Sequence, residues 1–175
     1  MKKNALKIVI VMLVLSVSTS VFAWPDGEKT GLLMGVTTGF ESASFDDGSE
    51  SDSGTGFMVG TVLGYGINEK FLLDFKFRYW NVGIDDVTYH TWMWCADAMY
   101  FPVADNGFFL NAGAGRVLTL PDVDNAVDKS GNLVYFGIGY EIFDYIFISV
   151  DYAAGFYEDD LSSGTLTFAV SAIGY

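Results

Sequence analysis

The stretch LGYGINEKFLLDFKFRYW, Leu63 to Trp80, decides how the rest of the chain is read. From Phe71 to Tyr79 every odd position is apolar or aromatic (Phe71, Leu73, Phe75, Phe77, Tyr79), while the even positions include Asp74, Lys76 and Arg78. A period of two is the strand period, so the aromatic side chains share one face and the three charges the other. Everything then turns on which face meets water and what the other face meets.

The chain of 175 residues opens MKKNALKIVIVMLVLSVSTSVFA, with Lys2, Lys3 and Lys7 ahead of an apolar run from Ile8 to Leu15 and then Val21-Phe22-Ala23. A basic start, a short apolar core and a small-residue end describe a secretory signal peptide, residues 1–23, cut after Ala23. The apolar run is shorter than the roughly 20 residues that a spanning helix needs. The remaining domain, residues 24–175, keeps six of the nine Lys and Arg and all 22 Asp and Glu, a formal net charge of 6 minus 22, or −16. Such a surface repels nucleic acid and anionic lipid. Cys95 is the one cysteine, which rules out an intramolecular disulfide and reads as a small buried side chain.

After Ala23 the apolar residues arrive in eight short parcels, roughly 30–41, 55–67, 71–81, 88–101, 107–119, 132–143, 145–156 and 165–175. Each is long enough for a tilted strand to cross a bilayer core, which takes about 9–11 residues. The prolines, Pro25, Pro102 and Pro121, all fall outside or between these parcels. Short links (NEK, PVADN and Asp144) alternate with longer polar ones (SASFDDGSESDSG, VGIDDV, LPDVDNAVDKSG and YEDDLSSG). That pattern predicts an all-β fold: an eight-stranded antiparallel up-and-down transmembrane β-barrel with short periplasmic turns and longer extracellular loops. GYGI before Asn68 and GYEI before Phe143 place Tyr65 and Tyr140 near the periplasmic interface, where amphipathic rings are favoured.

The second face of the strands is small. Val134, Phe136, Ile138, Tyr140 and Ile142 alternate with Leu133, Tyr135, Gly137, Gly139 and Glu141, and Phe57, Val59, Leu63 and Tyr65 stand against Gly56, Gly60, Gly64 and Gly66. Glycine opposite large apolar residues describes a crowded interior and a greasy exterior, since eight strands leave a lumen just wide enough to fill with side chains. Glu41, Asp74, Lys76, Arg78, Asp97, Glu141 and Asp151 all fall on the inward parity. Buried charges must pair, so Lys76 and Arg78 are expected to meet some of these carboxylates across the lumen as a structural charge network.

These residues resemble the small eight-stranded outer membrane barrels of Gram-negative bacteria, of the OmpX and OmpA transmembrane-domain type, over Trp24 to Tyr175. The leader, the eight alternating strands, the Gly-Tyr strand ends and the last strand TLTFAVSAIGY carry the likeness. The resemblance implies that Tyr175 is the terminal aromatic residue which the barrel-assembly machinery recognises. It also implies outer membrane lipid and lipopolysaccharide as surroundings. The final strand departs from the family's pattern, in which large apolar residues face outward, because Ala169 and Ser171 share the parity of Tyr175.

Some barrels of this size act on lipid A or phospholipid, and His90, the sole histidine, is the residue on which such chemistry would depend. It lies on the outward parity with Trp92 and Trp94, which reads equally as an interfacial polar residue beside two girdle tryptophans. The lipid A deacylase barrels carry a serine two residues after their histidine, where this chain has Trp92. No catalytic constellation, cofactor site or metal ligand set is therefore assigned. Acidic loop residues (Asp46, Asp47, Glu50, Asp52, Asp85, Asp86, Asp122, Asp124, Asp128, Glu158, Asp159, Asp160) suit hard cations or a surface ligand, but their spacing matches no defined calcium loop and reads also as solvated loop. Arg116, outward near the same end, can meet a lipopolysaccharide phosphate or snorkel to a loop carboxylate. The expected role is structural, adhesive or surface-interactive, with a narrow channel, a lipid-modifying enzyme or a soluble periplasmic barrel as competing readings.

Overall fold

Period-two alternation becomes eight strands that close on themselves. In the computed structural model the described residues are 29–46, 51–84, 87–103, 106–123, 127–158 and 161–174. The strands are β1 (Gly31–Asp46), β2 (Ser51–Asn68), β3 (Phe71–Ile84), β4 (Val87–Tyr100), β5 (Phe108–Pro121), β6 (Lys129–Phe143), β7 (Ile146–Tyr157) and β8 (Ser162–Gly174). Each pairs antiparallel with the next and β8 pairs with β1, so the barrel has no free edge. The leader, Trp24 and Tyr175 lie outside the described residues, as do Asp47, Glu50, Asp85, Asp86, Asp124, Asp159 and Asp160.

One end holds the start of β1, the end of β8 and the β2–β3, β4–β5 and β6–β7 connections; it is called the turn end below. Asn68 Oδ1 accepts hydrogen bonds from the Lys70 and Phe71 amides at 2.9 and 3.0 Å, which closes the first turn locally. Tyr145, in the last of these turns, has φ of 75°, a left-handed conformation that bulky residues rarely adopt.

At the opposite, acidic end the strands run further than the apolar pattern suggests. β1 continues to Asp46, β2 starts at Ser51 and β6 at Lys129, so much of the polar sequence read as loop is ladder, with Asp46 paired to Ser51 and to Ser162. Polarity ends the apolar signal but not the hydrogen bonding. β2, at 18 residues, exceeds the roughly 9–11 that cross a bilayer core, and the excess projects beyond the apolar belt.

The two faces separate cleanly. In β3, Leu72, Asp74, Lys76, Arg78, Trp80, Val82 and Ile84 are buried in the lumen, whereas Phe71, Leu73 and Phe75 are exposed on the outside. In β8, Leu166, Phe168 and Val170 face out; Ala169 and Ser171 face in, because Ala169 pairs with Gly39 and Ser171 with Thr37 of β1. The lumen is layered. A cluster around Leu33, Leu72, Phe101, Phe109 and Phe147 fills the turn end, and one around Met58, Trp80, Val82, Met93 and Leu133 fills the acidic half. Lys76, Arg78 and Asp151 lie between them.

A register rule makes room for those charges. Glu41 stands opposite Gly56, Asp74 opposite Gly64, Arg78 opposite Gly60, Asp97 opposite Gly113 and Asp151 opposite Gly137. A Cβ on Gly137 would run into Asp151 Oδ1 and sit 2.6 Å from Asn111 Oδ1. Gly137→Ala is therefore expected to destabilise the barrel by about 1–3 kcal/mol in reversible urea unfolding from lipid vesicles. Gly83→Ala, whose Cβ meets nothing within 4 Å, should stay within about 0.5 kcal/mol of the parent.

Candidate functional site

The inward residues of β3 are the starting point. Arg78 Nη2 donates to Asp151 Oδ2 at 2.9 Å and to Tyr135 Oη at 2.8 Å. Asp151 lies on β7, four strands from β3 in either direction round the barrel, so this ion pair joins opposite walls. Lys76 Nζ donates to Asp97 Oδ2 at 2.6 Å and to Tyr135 Oη at 3.4 Å. Asp97 is on the neighbouring strand β4, so the ion pair of Lys76 runs along the wall, and only its longer contact with Tyr135 crosses the lumen. The side chains of both ion pairs are no more than 4% exposed, where water screening is weak.

Tyr135 and Asn111 complete the belt. Asn111 Nδ2 donates to Tyr135 Oη at 2.8 Å and to Asp151 Oδ1 at 3.3 Å, while Ser149 Oγ donates to Asp151 Oδ2 at 3.1 Å. Asp151 thus takes donors from Arg78, Asn111 and Ser149, which offsets much of the desolvation of its carboxylate. Lys76 Nζ and Arg78 Cζ each lie 4.9 Å from the centre of the Tyr135 ring, within cation–π range.

The other inward carboxylates are held differently. Glu41 accepts a hydrogen bond from Thr167 Oγ1 at 2.9 Å. Glu141 pairs with Lys29 Nζ at 2.6 Å, and Lys29 Nζ lies 3.8 Å from the centre of the Phe101 ring, so this pair sits over the turn-end cluster. Asp74 is buried with no hydrogen-bond partner for either oxygen among the described residues. Among the described inward groups, three bases (Lys29, Lys76, Arg78) face five carboxylates (Glu41, Asp74, Asp97, Glu141, Asp151).

Tyr135, Asn111 and Lys29 are absent from the charge network read from sequence. Tyr135 and Asn111 are on the inward parity among glycines, and a polar side chain in that setting is the signal that marks them. Lys29 precedes β1 and has no strand parity to read.

Outside the barrel, His90 Nδ1 and Tyr79 Oη lie 2.7 Å apart, their rings nearly parallel at 10° and 6.1 Å between centroids. Tyr79 also packs on Trp92 at 4.5 Å, so His90 belongs to an aromatic ladder on the outer wall. Arg116 is exposed on the same wall between Trp94 and Asn132. Cys95 is buried opposite Lys76. Among the described residues no three His, Cys, Asp or Glu side chains form a group able to hold a metal ion.

No family model matches the sequence, and neither does any curated protein. Solved structures do share the fold. Ail, the attachment invasion locus protein of Yersinia pestis, aligns over 82% of this chain and 99% of its own, with 14% identity and a TM-score of 0.63. Neisserial surface protein A covers 79% and 96%, with 18% identity and a TM-score of 0.62. The outer membrane protein OprG from Pseudomonas aeruginosa covers 85% and 98%, with 12% identity and a TM-score of 0.58. This chain therefore has the fold of the small eight-stranded outer membrane barrels.

Two aspartates of one belt provide a test. Removing one partner of a buried pair typically costs about 3–5 kcal/mol, so Asp151→Asn should destabilise the barrel by that order in urea unfolding from lipid vesicles. Asp74→Asn, which removes a charge lacking a direct partner, should leave stability unchanged or raise it. Equal losses at both positions would contradict the pairing described.

Proposed function

We infer that the protein is an integral outer membrane barrel with a plugged lumen, acting through its surface in a structural or adhesive role. The observation that carries this reading is the Arg78–Asp151 pair, which braces β3 against β7 in the middle of a lumen filled with apolar side chains on both sides. Residence in lipid is supported by the outer face, where Phe40, Phe57, Leu63, Phe75, Phe136, Ile138 and Phe168 are 47–71% exposed, an apolar belt too continuous for water. Tyr65 and Tyr140 are exposed at the turn end of that belt, as interfacial rings are. Export uses the leader, cleavage falls after Ala23, and Tyr175 serves the barrel-assembly machinery. The turn end is periplasmic and the acidic end extracellular.

The role is non-enzymatic in this reading, supported by the engagement of His90 with Tyr79 on the outer wall. Ail has been crystallised with the heparin analogue sucrose octasulfate. The acidic end of this chain disfavours a sulfated polyanion, because like charges at an interface are repulsive. Its surface partners are instead neutral or cationic.

Purified protein reconstituted in planar bilayers should show no steady conductance, and membrane-fraction protein should migrate differently in detergent gels before and after heating. Stable, reproducible channels from the wild type would overturn the plugged-barrel reading.

A further inference from the structure

Above the hydroxyl layer in which Thr119 Oγ1 meets Thr91 at 3.2 Å and Tyr157 at 3.0 Å lies a cavity of about 500 Å³. Its walls are largely apolar: Phe45 and Tyr89 stack with centroids 5.3 Å apart, and Val87, Leu161 and Val127 complete the sides. Val127, on the rim, is 71% exposed. Volumes of this order are those of sites that bury a small ligand or one large side chain.

The described charge around this entrance is mostly negative. Asp52 lines the cavity, and Asp46, Asp122, Asp128 and Glu158 are exposed at the strand ends around it, whereas Lys129 is the one base among the described lining residues. A greasy pocket inside an anionic rim is complementary to a cation that carries an apolar group, since the rim steers the charge and the pocket desolvates the rest.

We propose that this vestibule binds a cationic amphipathic peptide segment, one aromatic or branched side chain entering between Tyr89 and Leu161 while flanking basic residues meet the rim carboxylates. The proposal rests on the reading of the acidic end as the exposed surface, and its test is independent of lumen conductance. Dye-labelled Lys-Lys-Trp-Lys-Lys and Lys-Lys-Ala-Lys-Lys would be titrated by fluorescence anisotropy against the full protein in phosphatidylcholine nanodiscs, with empty nanodiscs as the blank. The tryptophan peptide should bind at least tenfold more tightly than the alanine peptide. Tyr89→Ala should remove most of that ratio, and the combined Asp52→Asn and Asp128→Asn variant should weaken both peptides together. Equal binding of the two peptides by the wild type, or binding of neither, overturns the proposal, as does an unchanged ratio in Tyr89→Ala. Because the peptide pair is compared on wild-type protein, a variant that fails to fold leaves the test decisive.

Discussion

A charge inside a narrow lumen is the constraint on which this barrel is built. Taking Arg78 and Asp151 out of water costs several kcal/mol per ion, and mutual attraction offsets that only when the geometry is good and the remaining polar atoms are satisfied. The structure meets this condition on the carboxylate side, placing Arg78 on β3 and Asp151 on the facing wall and adding Asn111 and Ser149 as donors to Asp151, while Arg78 Nε has no hydrogen-bond partner among the described residues. Space is the second requirement. Glycine opposite Glu41, Asp74, Arg78, Asp97 and Asp151 keeps the neighbouring wall thin beside those five charges, whereas Lys76 stands between Val62 and Cys95. The abundance of glycine in the strands, which local propensity disfavours, follows from this packing.

Closure of the lumen moves the chemistry of the molecule outward. The belt is apolar and aromatic, the turn end is capped by the Lys29–Glu141 pair over Phe101, and the acidic end carries most of the carboxylates of the connections. A barrel with opposite walls joined by a buried ion pair is stiffened at that level. Overhanging strands add to this effect, since β1 and β2 hold their ladder as far as Asp46 and Ser51.

Much of this was legible in the sequence because a strand between an apolar exterior and a crowded lumen has two unlike faces. The odd residues of Phe71 to Tyr79 and the even charges between them were separable by parity alone, and so were the inward positions of Glu41, Asp97 and Asp151 and that of the partly buried Glu141. Partner identity was not legible. Lys76 meets a carboxylate on the adjacent strand whereas Arg78 crosses to β7, a distinction set by register and barrel diameter, neither of which a single strand encodes. Tyr135 and Asn111 carry the inward parity too, but as uncharged side chains they do not stand out as members of a charge network. The polar ladder beyond the belt escaped because Ser, Asp and Gly in a paired strand carry the composition of a loop.

The most direct test of the cross-lumen brace is a double-mutant cycle on Arg78→Met and Asp151→Leu, with unfolding free energies measured in the same lipid vesicles. Residues sharing a buried ion pair show coupling of up to about 3 kcal/mol, and a value above about 2 kcal/mol is expected here. Additive losses, with coupling below about 0.5 kcal/mol, would contradict a barrel whose opposite walls are held by this pair.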